Sequence, residues 1–227
     1  ITTHAAFFDY DKDGDLDCYI LNNSFLPVSS LNYSNKRELR DKDWEVAEIL
    51  KGGGDKLLRN DDGKFVDVSE ASGIYGSLIG FGLGVTVGDV NGDLYPDIYV
   101  SNDFYERDYL YINNKNGTFS EQIQTWATHI SQASMGADLA DINNDGKSDI
   151  FFGGAQGKQA AIYLQNGNGF TKKIFPTIVA DSIYEDASAV IGDFNGDRQN
   201  DLFVASGSGQ YAANLIPRLY QGSTLTK

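Results

Sequence analysis

Cysteine is almost missing from this chain. The single Cys18 among 227 residues rules out an internal disulfide, and its place in an apolar run reads as a packed thiol rather than a nucleophile. Histidine is nearly as scarce: His4 and His129 stand alone, in neither an H-E-x-x-H nor a zinc spacing. No G-x-S-x-G elbow occurs, and Gly153–Lys158 falls one residue short of a P-loop and lacks its following Ser/Thr. No catalytic residue is therefore assigned, and an enzyme is not expected. Positive charge is thin, 18 Lys and Arg against 32 Asp and Glu, and the net −14 excludes a nucleic-acid backbone as partner. The sequence shows no transmembrane run and no signal peptide, so no membrane insertion is expected. It opens at Ile1 already inside a repeat, as a processed product or a piece of something longer would.

What is abundant is a nine-residue pattern, D-x-[DN]-x-D-x-x-x-D, in four copies beginning at Asp9, Asp89, Asp141 and Asp193. Side-chain oxygens at positions 1, 3, 5 and 9, with the position 7 carbonyl, can converge on one hard cation. This is the front of an EF-hand-type loop without its twelfth-position Glu. The expected ligands are Asp9, Asp11, Asp13 and Asp17; Asp89, Asn91, Asp93 and Asp97; Asp141, Asn143, Asp145 and Asp149; and Asp193, Asn195, Asp197 and Asp201. Asp15, Tyr95, Lys147 and Gln199 are expected to contribute backbone carbonyls. Four bound Ca²⁺ would offset 8 of the 14 net negative charges, so the acidity reads as metal demand. The first loop has four ligand carboxylates against three elsewhere and is expected to bind tightest. Each ion is expected to act as a strut between two strands.

Each loop is flanked by short apolar runs, such as Val85-Thr86-Val87 before Asp89 and Ile98-Tyr99-Val100 after Asp97, as inner strands buried on both faces require. A third and a fourth strand follow across Gly/Asn-rich turns, as in Lys56–Arg59 and Phe65–Val68 around Asp62-Gly63. Four antiparallel strands recurring at 52 residues make a β-propeller blade. The expected fold is all-β, a single propeller region over residues 1–227. It has four four-stranded blades near 1–75, 76–127, 128–180 and 181–227; an open sector of a larger propeller, such as a seven-bladed one, is expected in preference to a closed four-bladed ring. The fourth blade's outer strand is expected to be short or absent. The first interval is longer, 80 residues. Within the insertion at 24–54, a helix is predicted over residues 35–50, capped by Asn35, with Leu39, Val46, Ile49 and Leu50 at helical spacing before Gly52-Gly53-Gly54.

Phe81-Gly82-Leu83-Gly84 with Asn91-Gly92-Asp93, Ser101–Phe104 with Tyr109–Asn114, and Ser134–Gly146 together resemble the FG-GAP/VCBS repeats of integrin-α-like propellers. Among these they look most like the bacterial cartilage-acidic-protein-like, ASPIC/UnbV-associated group. The resemblance implies calcium in the blade loops, a secreted or cell-surface location, and a role in adhesion, carbohydrate binding or assembly; the blade repeat itself, which buries its faces against neighbours, calls for the remaining blades of a larger chain or a protein partner. The family loop usually carries Gly at position 6. Here Gly14 and Gly146 match, while Leu94 and Arg198 depart, which predicts differently shaped or weaker second and fourth loops.

In an up-and-down blade, metal loops and outer hairpins share one face, and the longer connections share the other. Recognition is expected on that second face. The ligand-binding candidates are Trp44, Asp103, Phe104, Tyr105, Arg107, Tyr184 and Tyr211. Three functions stay open: a calcium-stabilised extracellular scaffold for protein partners, a carbohydrate-binding module, and a calcium-dependent glycan-active enzyme.

Overall fold

The computed structural model describes residues 2–32, 41–127, 134, 136–167, 169–207 and 216–226. The chain forms two compact units, Ile1–Val87 with Leu94–Ile123, and Gly88–Asp93 with Gln124–Lys227. Every sheet is an antiparallel meander in sequence order.

The first blade runs β1 (Thr2–Phe8), β2 (Asp17–Asn22), β3 (Lys56–Asp61) and β4 (Lys64–Asp67). The second runs β5 (Phe81–Gly88), β6 (Asp97–Asp103), β7 (Tyr109–Asn113) and β8 (Phe119–Glu121). The third runs β9 (Ala137–Ala140), β10 (Asp149–Phe152), β11 (Ala161–Gln165) and β12 (Phe170–Lys173). The fourth has β13 (Glu185–Gly192), β14 (Asp201–Gly207) and β15 (Arg218–Tyr220). One-turn helices follow the outer strand in the first three: α1 (Ser69–Ser72), α2 (Ile123–Trp126) and α3 (Pro176–Ala180). The architecture is thus all-β and blade-like. The β3–β4 hairpin turns on Asp62 and Gly63, both at positive φ (53° and 88°), the two-residue turn whose twist suits paired strands.

The two units pack by one rule. Tyr19 on β2 lies opposite Leu57 on β3, and both join Tyr10 against Val85, Ile98, Val100 and Tyr111 of the second blade. In the other unit Phe151 lies opposite Ile162, and both join Ile142 against Ala189, Leu202, Val204 and Tyr220. Burying a large apolar side chain in such a layer stabilises by about 1.5–3 kcal/mol. The layer is therefore the main reason the meanders stay together.

The fourth sheet has three strands among the described residues, in keeping with the short or absent outer strand expected there. Beyond Tyr220 the chain turns back on itself through a Gln221–Thr226 bridge, with Gly222 at φ 60°, and Leu225 drops fully buried into the core instead of extending an edge. One expectation needs correction: the inserted helix is not formed over residues 41–50, which hold two 3₁₀ turns, Asp41–Asp43 and Glu48–Leu50. Residues 35–40, with Asn35 and Leu39, lie outside the described residues. Ile49, one of the apolar positions of that spacing, is 90% exposed, so a helix there gains no burial at this position to hold it together.

Candidate metal loops and recognition face

All four D-x-[DN]-x-D loops place positions 4 and 6 at positive φ. These are Lys12 and Gly14 (67° and 98°), Gly92 and Leu94 (76° and 70°), Asn144 and Gly146 (59° and 84°), and Gly196 and Arg198 (81° and 67°). Each loop has one glycine for two left-handed positions, and which position receives it does not matter. Leu94 and Arg198 therefore do not reshape their loops; Lys12 and Asn144 carry the matching burden at position 4 in the other two.

Hydrogen bonds repeat with the backbone. The position 1 carboxylate accepts the position 5 N–H: Asp13 N to Asp9 Oδ1 (3.1 Å), Asp93 N to Asp89 Oδ1 (3.0 Å), Asp145 N to Asp141 Oδ1 (2.9 Å) and Asp197 N to Asp193 Oδ1 (3.1 Å). In loops one, three and four its second oxygen accepts the position 6 N–H of Gly14, Gly146 and Arg198. Those bonds, Arg198 N–H first, hold the exposed Asp193 carboxyl below the ordinary carboxylate range.

Position 9 has a second job that the spacing did not reveal. Asp17, Asp97, Asp149 and Asp201 are wholly buried. Asp149 Oδ2 accepts Ile142 N–H (3.0 Å) and its Oδ1 accepts Gln165 N–H (2.9 Å) from the end of β11. Asp17 does the same for Tyr10 and Asn60, and Asp201 for Phe194 and Gly222. Asp97 accepts Asn113 N–H. Each is a tie between its loop and the third strand. Burial pushes Asp17 upward and Asp149 up to about 6 against those bonds.

Whether these oxygens suit a hard cation is clearest in the first loop. Carboxylate oxygens of Asp9, Asp11 and Asp17 lie within 4.8 Å of one another, the one such grouping of acidic, histidine or cysteine side chains among the described residues. Asp13 is not part of it; its Oδ1 accepts Asp15 N–H (2.9 Å). Asp11 Oδ1 is buried with no hydrogen-bond partner, and burial, then the Asp13 charge, raises the Asp11 carboxyl. An orphaned buried oxygen beside two further carboxylates is a donor set that a divalent cation satisfies. The other loops have Asn at position 3, and Asn91, Asn143 and Asn195 each use Oδ1 to accept the position 5 N–H. Position 12, where an EF-hand has its bidentate Glu, holds Ile20, Val100, Phe152 and Val204 in strands.

On the recognition side, three candidates come together around Phe81. Trp44 and Tyr105 flank the buried Leu31, Ile79 and Phe81 cluster, and Phe104 meets Phe81 edge-on at 5.1 Å while staying 44% exposed. Phe104 is held at φ 60°, and Asp103 Oδ1 accepts its N–H at 2.7 Å; burial raises the Asp103 carboxyl. Trp44 Nε1 is buried without a hydrogen-bond partner. Arg107 is not presented to solvent: it pairs with Glu121, at 11% and 5% side-chain exposure. Tyr184, in the other unit, is half-buried under the Arg218 guanidinium at 4.8 Å, which in turn pairs with Asp186. Tyr211 and His129 lie outside the described residues. His4 Nδ1 accepts Val85 N–H (3.3 Å), and the Gly157 and Lys158 amides are already bonded to Ser182 and Ala155.

Sequence reasoning missed a second repeated tie on the same side. Asp55 accepts Tyr19 O–H (2.9 Å) and Asn22 N–H (2.8 Å), while Asp108 accepts Tyr99 O–H and Asn102 N–H. The matching Tyr-x-x-Asn at 19–22 and 99–102, each followed by an Asp opening β3 or β7, was the available signal. Asp55 is buried, and desolvation raises it to about 6. It borders a cleft of ≈ 680 Å³ with Lys56, Asp67, Glu70 and Tyr75.

The FG-GAP-like repeat profile matches residues 89–152 and 141–204, over half of the chain. The chain belongs to the FG-GAP-like repeat family. Its four meanders are blades of the β-propeller type found there. A 126-residue stretch, 54% of the chain, is 29% identical to cartilage acidic protein 1 of Xenopus tropicalis, and the match spans 19% of that relative's length. A solved structure of an Agrocybe aegerita lectin, described for recognition of non-reducing terminal N-acetylglucosamine, aligns with 99% of this chain and 66% of its own at 15% identity and TM-score 0.41. No described helix is long and apolar enough to cross a membrane.

Proposed function

We propose that this FG-GAP-like chain is a calcium-stabilised scaffold, working outside the cell or on its surface, that binds a protein partner through the face opposite its metal loops. The observation that carries the metal part is the first loop, where Asp9, Asp11 and Asp17 converge around an oxygen with no other partner, on a backbone repeated in three more loops. Ca²⁺ would be held there by carboxylates, Asn amide oxygens and carbonyls, supplying charge neutralisation and no redox chemistry. Without the twelfth-position Glu such loops bind weakly, which fits a calcium-rich compartment. For the partner, the FG-GAP fold supports an interaction scaffold, and Phe104 supplies an exposed aromatic on rigid backing. A saccharide is the second reading, favoured by Tyr75 in a cleft with Lys56, Asp67 and Glu70.

The test is thermal unfolding of the whole chain in calcium and after chelation. A single site saturated at 100 times its Kd adds about 2.7 kcal/mol, so the melting temperature should drop clearly on chelation and recover on adding calcium. An unchanged melting temperature would sink the strut reading.

A further inference from the structure

Two of the metal loops receive an amide donor from the blade that follows. Asn113 ends β7, and its Nδ2 donates to the carbonyl of Tyr10, position 2 of the first loop, at 2.8 Å. Gln165 ends β11, and its Nε2 donates to the carbonyl of Val90, position 2 of the second loop, at 2.6 Å. Both residues are buried, at 3% and 6% exposure. Asn113 Oδ1 accepts Lys115 N–H (2.8 Å), and Gln165 Oε1 accepts Gly167 N–H (3.1 Å). With the oxygen of each amide turned to a donor, its NH₂ group is the half that faces the loop.

The same two residues hold their own blade's loop through the backbone. Asn113 N–H donates to Asp97 (2.8 Å) and Gln165 N–H to Asp149 (2.9 Å), position 9 of loops two and three. One residue therefore grips two loops, the preceding one at position 2 and its own at position 9. In the fourth blade the matching place falls to Gly222, whose N–H meets Asp201 but which has no side chain to reach further. The link is made differently there. Asn200, position 8 of the fourth loop, donates its Nδ2 to the Asp141 carbonyl, position 1 of the third, at 2.7 Å. Each of these bonds lies within a single compact unit. The four loops are thus joined in series by side-chain amides. The expected ligand positions 1, 3 and 9 flank every tie, so an ion that orders one loop also orders the residue gripping its neighbour. The neighbour then binds at a smaller entropy cost.

We propose that Asn113, Gln165 and Asn200 are positioning residues that couple neighbouring calcium loops, so that filling one loop tightens the next. The proposal rests on the calcium reading above and adds how the sites act on one another. The coupling is reciprocal.

Each loop carries its own reporter in the glycine at position 4 or 6: Gly14, Gly92, Gly146 and Gly196. Nuclear magnetic resonance of the whole chain, made with isotope-labelled glycine, follows these amides through a calcium titration. Disabling the first loop with Asp11→Ala should raise the calcium midpoint at Gly92 at least about 5-fold. Adding Asn113→Ala should cancel that response, whereas a through-space effect of the lost charge would persist. Asn113→Gln keeps the donor, as Gln165 does in the third blade, and should restore the response. Should Asn113→Ala unfold the chain, Asn143→Ala read at Gly196, with and without Asn200→Ala, makes the same test at a half-buried tie. A midpoint at Gly92 that ignores Asp11→Ala, or a shift that survives Asn113→Ala, overturns the proposal. Loops that fill independently sink this inference alone; amides that never respond to calcium sink the calcium reading with it.

Discussion

Phe151 and Phe203 are the same residue at the same place in consecutive repeats, yet one is 1% exposed and the other 37%. Their loop spacing matches, and each faces an aliphatic residue on the third strand, Ile162 or Leu219. Phe151 is packed under the following blade, and Phe203 is not covered in this way. A blade sequence therefore specifies a blade together with a surface that needs a neighbour, and the repeat cannot report whether the neighbour is there.

The contrast predicts its own largest effect. Phe151→Ala empties a packed layer and should cost about 3–5 kcal/mol in denaturant unfolding. Phe203→Ala in dilute chain should stay within about 0.5 kcal/mol. Equal losses would erase the distinction. One layer inward the two blades should behave alike, because Asp149 and Asp201 hold equivalent ties. Asp149→Ala and Asp201→Ala each strand two backbone N–H groups and should each cost on the order of 2–3 kcal/mol, even in chelator. If chelation made either substitution silent, position 9 would be a ligand and not a tie.

A smaller contrast separates the first blade from the third. Tyr19 stands where Phe151 does, and its hydroxyl needs Asp55. Desolvation raises Asp55 from 3.8 to about 6, so between those values the folded chain keeps a proton that the unfolded chain has released. The group's contribution is full below about pH 4 and declines as pH rises through about 6, by roughly 3 kcal/mol. Asp55→Asn should remove that decline when melting is followed from pH 4 to 7; a parallel curve for both proteins would contradict it. The smallest effect belongs to the left-handed loop positions. Leu94→Gly should stabilise by up to about 1 kcal/mol and Asn144→Gly by less, since Asn tolerates positive φ. Destabilisation by Leu94→Gly would show that Leu94 makes contacts outweighing its strain.

Strand positions, the Asp62-Gly63 turn and the incomplete fourth blade were legible in the sequence, because apolar periodicity and turn chemistry are local. The loops were legible as a pattern but not as a shape. A glycine at position 4 or position 6 satisfies the same backbone, so Leu94 and Arg198 looked like exceptions when they are exchanges. The buried ties at Asp17, Asp97, Asp149 and Asp201 were hidden by their double role. Asn60, Asn113, Gln165 and Gly222 donate through their backbone N–H groups, which any residue but proline carries, so no side chain flags them. Arg107 misled for a tertiary reason, since its partner Glu121 arrives from β8. The insertion misled because helical spacing says nothing about whether a surface exists to receive the stripe.

Equilibrium dialysis of the whole chain against calcium decides whether the loops hold metal. Binding should approach four ions per chain, lose the tightest with Asp11→Ala, and accompany a rise in melting temperature. No binding at millimolar calcium, or a stoichiometry and affinity that Asp11→Ala leaves unchanged, would contradict that expectation.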